Sequence, residues 1–117
     1  MKELFAEGLT FRVNGRLWVE SSDDRFLGKG RIELLEKIME YGSIAKAAAA
    51  MEMSYKRAWD LISSVNNQAQ KPLVLTQTGG KKGGGTTVTE EGKKAISEYK
   101  ALQARFQAFL DAETNSL

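Results

Sequence analysis

The sequence predicts an α+β fold that is mainly α, with an N-terminal β-hairpin, three short helices, a second β-hairpin and one long C-terminal helix. Apolar residues recur at three- and four-residue spacing in several segments, which is typical of amphipathic helices. Alternating apolar and polar residues flank an Asn-Gly pair near the N-terminus, and a glycine- and lysine-rich stretch separates two further extended segments. With 117 residues and a single proline, the chain has the size of one domain.

A first hairpin is predicted over about residues 9–20. Leu-Thr-Phe-Arg-Val precedes the Asn14-Gly15 pair, and Arg-Leu-Trp-Val-Glu follows it. Asn and Gly both tolerate the positive φ of a two-residue turn, so this pair is a strong local hairpin signal. Leu9, Phe11 and Val13 would then share one face of the first strand.

Two short helices follow, at about residues 30–41 and 43–51. In the first, the apolar residues at helical spacing end at Gly42, a residue type that commonly terminates a helix. Ser43 can cap the second helix, which contains four consecutive alanines. Because alanine is small, we expect this helix to approach a neighbour closely.

A third helix is predicted over about residues 54–69. Ser54 can cap its start, and Pro72 prevents its continuation. At 100° per residue, one side of this helix is apolar and should be buried. That side consists of Ala58, Leu61, Ile62, Val65 and Ala69. Trp59 lies at its flank and is interpreted as a packing residue at the seam between this helix and a hairpin.

The second hairpin is predicted over about residues 73–89, with five of the eleven glycines of the chain at its tip. Thr89 can cap a final helix over about residues 90–112. This helix carries an apolar stripe too broad for one small domain to cover, so we expect it to mediate symmetric dimerisation. The stripe consists of Ile96, Tyr99, Leu102, Phe106, Phe109 and Leu110. The N-terminal segment could cover part of the stripe, either within the chain or from the partner.

Three short helices followed by a β-hairpin form the arrangement of a winged helix-turn-helix. The second and third helices fit this motif, with Ala48 at the position where the two crossing helices approach most closely. The turn position that usually holds glycine is Glu52, where a left-handed conformation costs on the order of 1 kcal/mol. We expect the turn to form despite this cost.

In this motif the third helix lies in the major groove of DNA, and its first turn reaches the base edges. Lys56 or Arg57 would donate hydrogen bonds to guanine, while Ser54, Tyr55 and the other cation would bind phosphate. The alternative interpretation is that the Lys-Arg pair is an ordinary solvated surface and that Tyr55 packs against the edge of the core.

Two further sites are candidates for contacts with the DNA backbone. Ser43 and Lys46 lie at the start of the second helix, in a position suited to phosphate contacts. Lys81 and Lys82 lie at the glycine-flanked tip of the second hairpin and would follow a minor groove or phosphates. The alternative interpretation of the two lysines is a solubilising loop.

The composition excludes most catalytic and metal chemistry. The chain has no His and no Cys, so the usual zinc sites, thiol nucleophiles and Ser-His-Asp triads cannot form. The glycine-rich loop lacks the lysine of a phosphate-binding P-loop. We therefore expect no metal, no cofactor and no enzymatic activity. No segment has the pattern of a signal peptide or a membrane span, so we expect a cytoplasmic protein that does not bind membranes.

Short motifs along most of the chain carry a resemblance to a known family. They are Gly42-Ser-Ile44, Met53-Ser-Tyr-Lys56, Ala58-Trp-Asp60, Gln77-Thr-Gly-Gly-Lys81 and Thr89-Glu90 with Gly92. Together they resemble the N-terminal DNA-binding domain of the molybdate-responsive regulators of the ModE family, which share a LysR-like winged helix. The resemblance implies a homodimer that binds double-stranded DNA, with the last helix and the first hairpin in dimerisation. It implies DNA contacts by Ser54, Tyr55, Lys56, Thr78, Lys81 and Lys82, whereas Arg57 is a candidate on chemical grounds alone.

The resemblance also implies a function, namely the sequence-specific binding of a pseudo-palindromic operator of molybdate transport or molybdoenzyme genes. Full-length members of the family hold molybdate in C-terminal β-domains, and this chain ends at Leu117. We therefore expect that this chain alone does not bind molybdate tightly. The alternative function is a winged-helix protein-interaction module or co-regulator that does not itself bind DNA specifically.

Overall fold

The computed structural model describes residues 1–80 and 83–117, and their side chains outside residues 78–84. It confirms the α+β, mainly α fold class. In chain order, the elements are a 3₁₀ helix at Lys2–Leu4, β1 at Trp18–Glu20, β2 at Arg25–Gly28, α1 at Lys29–Tyr41, α2 at Ile44–Ala50, α3 at Tyr55–Gln68, β3 at Val74–Gly80, β4 at Gly83–Val88 and α4 at Glu90–Asn115. The strands form two separate antiparallel pairs, β1–β2 and β3–β4, and the second pair is the wing.

Glycine and serine residues determine where the helices end and begin on either side of α2. Gly42 ends α1 with a left-handed φ of 64°, a conformation that suits glycine because it has no Cβ. Ser43 Oγ accepts a hydrogen bond from the backbone N–H of Lys46 at 3.1 Å, and Ser54 Oγ accepts one from that of Arg57 at 3.0 Å. Each bond satisfies a backbone donor in the first turn of a helix, so these serines fix where α2 and α3 begin.

The N-terminal hairpin lies later in the chain than predicted. β1 and β2 pair antiparallel, with Val19 opposite Leu27. Residues 9–17, which include the Asn14-Gly15 pair, form no strand. The prediction of a hairpin over residues 9–20 is therefore wrong, although a short hairpin does precede the helices.

The physical reason is that residues 13–17 pack on α4. The backbone N–H of Val13 donates to Thr114 Oγ1 at 2.8 Å. Gly15 lies so close to α4 that a Cβ at this position would be 3.0 Å from a ring carbon of Phe106. A two-stranded hairpin is only marginally stable by itself, whereas packing on a helix buries apolar surface. Tertiary packing thus overrides the local turn signal.

The hydrophobic core lies between α1, α2, α3, the base of the wing and the first half of α4. Its buried residues are Leu27, Ile32, Leu34, Leu35, Ile38, Ile44, Ala47, Ala48, Ala58, Leu61, Ile62, Val65, Leu73, Val74, Val88 and Tyr99. Ala47 and Ala58 are completely buried, and Ala48 is nearly so. These small side chains allow the two helices of the helix-turn-helix to pack at short distance, as the alanine run predicts.

The base of the wing and the start of α4 pack directly on each other. The backbone N–H of Thr89 donates to the carbonyl oxygen of Leu73 at 2.9 Å, and its hydroxyl donates to that of Pro72 at 2.7 Å. Gly92, in the first turn of α4, lies against Leu73, the residue before β3. A Cβ on Gly92 would overlap the Leu73 carbonyl oxygen and would lie 2.6 Å from Val88 Cγ1. The wing is therefore firmly attached to α4 at its base.

The molecule is elongated, with extents of 68 × 29 × 22 Å. One end consists of the last turns of α4 and the N-terminal segment, where the rings of Phe5 and Phe11 stack at 4.0 Å. We call it the far end, because it lies away from the helix-turn-helix. Within the described residues, no helix combines the length and the apolar character that crossing a membrane would require.

Candidate nucleic-acid interface

The turn between α2 and α3 has the conformation that the motif requires. Glu52 adopts a φ of 56°, the one positive φ of a non-glycine residue in the described part of the chain. The backbone N–H of Met53 donates to the carbonyl oxygen of Ala48 at 3.0 Å, which closes the turn. The expectation that the turn forms with glutamate in place of glycine is confirmed.

The helix α3 buries one side and exposes the other. Ala58, Leu61, Ile62 and Val65 are each at most 7% exposed, whereas Tyr55, Lys56 and Arg57 are all exposed in the first turn. The buried side is the one predicted from the 100° periodicity, except that Ala69 is only half-buried and follows the helix as its cap. The first turn of α3 is therefore free to contact a partner.

The exposed side of the first turn carries one weak ion pair. Lys56 Nζ lies 3.0 Å from Asp60 Oδ2 one turn later, with side-chain exposures of 86% and 57%. An exposed pair at this spacing contributes only a few tenths of a kcal/mol, so a phosphate or a base edge can displace the carboxylate. Ser54 uses its oxygen as the helix cap, and its hydroxyl proton remains available to donate.

Next to this turn, the wing side of α3 forms a cleft of about 320 Å³, which we name the wing cleft. Its walls are the start of α2, the first turns of α3 and strands β3 and β4, and they include Ser43, Tyr55, Trp59, Thr76 and Thr86. Trp59 is half-buried, packs against the core and meets the Tyr55 ring edge-on at 6.1 Å. Its interpretation as a packing residue at the seam between helix and hairpin is thus confirmed.

The wing is held at the same corner by a backbone contact. The N–H of Thr86 in β4 donates to the carbonyl oxygen of Gly42 at 3.1 Å. This bond brings β4 next to Ser43. Lys46, which is exposed, lies in the first turn of α2. Thr78 belongs to β3, but its side chain lies outside the described part, and Lys81 and Lys82 lie outside the described residues altogether. Their contacts with DNA stay predictions.

On the opposite side of α3 lies a larger groove of about 830 Å³, which we name the hairpin groove. It is bounded by β1 and β2, the start of α1, the first turns of α3 and the middle of α4. Five cationic residues line it, namely Arg16, Arg25, Lys29, Arg31 and Arg57, and no carboxylate among the described residues does. The sequence predicted a role for Arg57 only. The other four are scattered between residues 16 and 31, and only the fold brings them next to α3.

A polar network holds the hairpin against α3. Arg31 donates to Asp24 Oδ2 at 3.2 Å and to Ser64 Oγ at 2.8 Å, and the Ser64 hydroxyl donates to Asp24 Oδ2 at 2.8 Å. Gln68 adds a bond to the carbonyl oxygen of Arg25 at 2.8 Å. These contacts lower the pKa of Asp24, chiefly through the Ser64 hydroxyl, then the backbone N–H of Arg25 and the Arg31 side chain. Asp24 is therefore an anchor of the hairpin.

The predicted dimerisation stripe is partly covered within the chain. The Tyr99 hydroxyl donates to the carbonyl oxygen of Leu17 at 2.8 Å, and burial raises the pKa of Tyr99. Tyr99 and Leu110 are 3% and 5% exposed, and Ile96 packs against the core. The chain itself thus covers Tyr99 and Leu110, whereas Ile96 is only partly buried, and the role of the stripe in dimerisation stays a prediction. Leu102, Phe106 and Phe109 retain exposed surface, and Phe109 is 56% exposed.

Comparison with known proteins identifies relatives of the regulator type. The molybdenum transport protein ModE of Azotobacter vinelandii is 41% identical over 100 residues, which cover 86% of this chain and 37% of the relative. The DNA-binding transcriptional dual regulator ModE of Escherichia coli K12 is 41% identical over 85 residues, which cover 72% of this chain and 32% of the relative. The chain thus spans about a third of the length of these relatives. The resemblance to the ModE family is confirmed.

Solved structures agree at the level of the fold. Full-length LysG of Corynebacterium glutamicum matches with a TM-score of 0.53 and 19% identity, over 78% of this chain and 30% of that one. ZitR of Lactococcus lactis matches with a TM-score of 0.52 and 16% identity, over 97% of this chain and 75% of that one. A family model described as a bacterial regulatory helix-turn-helix protein of the LysR family matches residues 30–93, from α1 into the first turn of α4. The chain therefore belongs to the LysR family of bacterial regulatory helix-turn-helix proteins.

Proposed function

We propose that this chain is the DNA-binding part of a transcriptional regulator of the ModE type and that it binds an operator through α3 and the wing. One observation carries the proposal: the first turn of α3 follows a fully formed helix-turn-helix corner and exposes Tyr55, Lys56 and Arg57. Lys56 and Arg57 supply donors for guanine or phosphate, and the side chains around them do not obstruct their approach. The similarity to regulators named ModE supports the same conclusion.

The remaining predicted contacts are assigned by their position. Ser43 and Lys46 at the start of α2 bind phosphates beside the site that α3 occupies, where the partial positive charge of the helix N-terminus adds to that of the lysine. Thr78, Lys81 and Lys82 of the wing bind the adjacent backbone or the minor groove. Since the work of such a protein is binding, it needs no catalytic group, and it acts where the bacterial chromosome lies, in the cytoplasm.

We also propose that two copies associate through the far end of the molecule. Its apolar surface is unusually exposed, with Leu4, Leu9, Phe11 and Phe109 between 39% and 78% accessible. The radius of gyration is 18.5 Å, against about 13 Å for a compact domain of this length. A second copy packed on Phe109 and the N-terminal segment would cover this surface and place two α3 helices on a pseudo-palindromic operator.

The regulated genes are proposed from the relatives, one of which is named a molybdenum transport protein. We propose an operator next to molybdate transport or molybdoenzyme genes. We propose that this chain alone does not bind molybdate tightly, because the resemblance to the ModE family implies that molybdate is held by domains other than the DNA-binding one. Titration calorimetry of the chain with sodium molybdate checks this, and binding at micromolar or tighter affinity would contradict it.

The experiment that tests DNA binding is fluorescence anisotropy with a labelled duplex from the promoter of the chain's own operon, compared with a scrambled duplex. The wild-type chain should bind the promoter more tightly, with an affinity that falls steeply with salt as counterions are released. The double variant Lys56→Ala/Arg57→Ala should weaken promoter binding by roughly 2 to 5 kcal/mol. The variant Lys71→Ala/Lys94→Ala removes two positive charges elsewhere on the surface and should change binding far less.

Two outcomes contradict the proposal. If the Lys56→Ala/Arg57→Ala variant binds the promoter as tightly as the wild type, α3 does not read the operator. If the wild-type chain binds neither duplex at low salt while sedimentation shows an intact dimer, the chain is a protein-interaction module instead.

A further inference from the structure

The hairpin groove has the dimensions of a binding site for a small molecule. Its volume of about 830 Å³ lies within the range of small-molecule sites, which is about 300–1,000 Å³. Residues from three distant parts of the chain line it: Arg16 and Trp18 from the N-terminal segment and hairpin, Arg57 from α3, and Phe106 from α4. The groove is thus a product of the folded domain and not of one helix or one loop.

Four of the five cations that line the groove form no ion pair with the described residues. Among the described residues, Arg31 pairs with Asp24, whereas Arg16, Arg25, Lys29 and Arg57 form no ion pair. Four cations that share one concave surface repel each other, and a bound anion relieves this repulsion. The groove therefore attracts a negatively charged group.

Apolar and aromatic side chains, here called the floor, also line the groove. The side chains of Leu17, Trp18, Phe106 and Leu110 contribute to its lining, and the guanidinium carbon of Arg25 lies 4.2 Å from the centre of the Trp18 ring. An inorganic anion would contact only the cations, and the apolar side chains of the floor would remain exposed to water. A planar apolar group that carries an acid would use both, because the ring replaces water on the floor while the acid meets the cations.

The groove also contacts the helix that is proposed to bind DNA. Arg57 lies in the first turn of α3 and lines the groove at the same time. An anion bound to Arg57 competes with DNA phosphate or guanine for the same guanidinium, so the two ligands weaken each other's binding by the same factor. This coupling rests on the proposed function, whereas the site itself does not.

We propose that the hairpin groove binds a small organic anion, a planar apolar group bearing a carboxylate or a similar acid, and that this ligand lowers the affinity of the chain for DNA. The cations Arg25 and Lys29 hold the acid, the aromatic floor holds the ring, and Arg57 couples the site to α3.

The test is titration calorimetry of the full chain with 2-naphthoate, an aromatic carboxylate. The neutral analogue 2-naphthamide and inorganic phosphate serve as comparison ligands. We expect 2-naphthoate to bind at least tenfold more tightly than either. The variant Arg25→Gln/Lys29→Gln should bind 2-naphthoate at least tenfold more weakly, while Lys71→Gln/Lys94→Gln, with two cations removed outside the groove, should bind it as the wild type does. Unchanged thermal midpoints show that both variants are folded.

Several results would overturn the proposal. They are the absence of 2-naphthoate binding to the wild type, equal loss of binding in both double variants, and phosphate binding as tight as that of 2-naphthoate. The fourth result is that the wild type does not bind 2-naphthoate and the Arg25→Gln/Lys29→Gln variant forms a weaker dimer. In that case a second copy of the chain occupies the groove.

The coupling is tested separately, by promoter anisotropy with and without saturating 2-naphthoate. A decrease of at least threefold in DNA affinity supports it, and an unchanged affinity despite bound 2-naphthoate overturns it. If the chain bound no DNA at all, the proposed function would fail, and the calorimetric result would still decide the site.

Discussion

The two sides of α3 differ in how they are built. The wing cleft is formed by α2, α3 and the wing, and the side chains described there are mainly hydroxyl, amide and aromatic groups. The hairpin groove is formed by segments that are far apart in sequence, and five cations line it. One helix thus separates a cleft whose described lining has no charged side chain from a groove lined by five cations. The difference shows that cations from outside the helix-turn-helix can gather beside its second helix.

The two sides also differ in how they are fixed. On the wing side, the backbone is locked by close packing of Gly92 on the strand that leads into the wing. On the hairpin side, polar side chains of Asp24, Arg31 and Ser64 make the connection. Close packing loses stability when a substitution adds volume, whereas the stability that a charged network provides depends on pH. The predictions below use this contrast.

The largest effect is expected on the wing side. Gly92→Ala places a Cβ onto the Leu73 carbonyl oxygen, which is backbone and cannot move aside, so the free energy of unfolding should fall by about 3 kcal/mol. Urea denaturation followed by circular dichroism measures it. Gly85→Ala is the control, since its Cβ would meet no atom within 4 Å and the change should stay within about 0.5 kcal/mol. A similar loss in both variants would show that the wing is not anchored at Gly92.

A smaller loss is expected where the N-terminal segment packs on α4. In Gly15→Ala the new Cβ would lie 3.0 Å from the edge of the Phe106 ring, which is a side chain and can shift. The free energy of unfolding should fall by about 1 kcal/mol. Urea denaturation checks the value, and hydrogen exchange of residues 13–17 shows whether the segment has detached. If stability and protection were both unchanged, the segment would accommodate the added Cβ more easily than the short contact suggests.

The hairpin side should respond to pH. The pKa of Asp24 is lower in the folded chain than in the unfolded one, so the unfolded state binds the proton more readily. The stabilisation from Asp24 is therefore complete above the unfolded value of about 3.9 and is lost as the pH falls through the lower folded pKa. Compared with Asp24→Asn, the wild type should lose stability more steeply below about pH 4. Parallel thermal melts between pH 7 and pH 2.5 test this, and identical slopes would contradict it.

The smallest effect is expected on the exposed face between the two sides. Asp60→Ala removes the pair with Lys56, which is largely solvent-exposed, so the free energy of unfolding should change by less than about 0.5 kcal/mol. DNA binding should not weaken, because Lys56 is released for phosphate. Urea denaturation and promoter anisotropy measure the two quantities. A loss of DNA affinity in Asp60→Ala would show that Asp60 positions Lys56 or contacts a base itself.

The parts of the fold that local chemistry determines were predictable from the sequence. Ser43, Ser54 and Thr89 cap α2, α3 and α4, and the alanine run marks the close crossing of α2 with α3. These features depend on residues within a few positions of each other. The exposed first turn of α3, with Lys56 and Arg57, followed from the same reasoning.

The parts that long-range packing determines were not predictable. Asn14-Gly15 has the pattern of a hairpin turn, yet Gly15 serves close approach to a helix about 90 residues later in the chain. Arg25 and Lys29 give no signal in the sequence, because nothing local indicates that they line one groove with Arg57. The stripe on α4 was recognised, but periodicity alone could not show that Tyr99 is covered by the chain's own N-terminal segment.

The attachment of α4 to the wing has a mechanical consequence. Because Gly92 and Thr89 fix the first turn of α4 to the strand beside them, the wing and the helix must tilt together. The helix has 26 residues and is about 39 Å long, so a tilt of about 10° at its base would move its far end by about 7 Å. If the wing contacts DNA as proposed, a small change in its tilt would therefore become a displacement of several ångströms at the opposite end of the molecule.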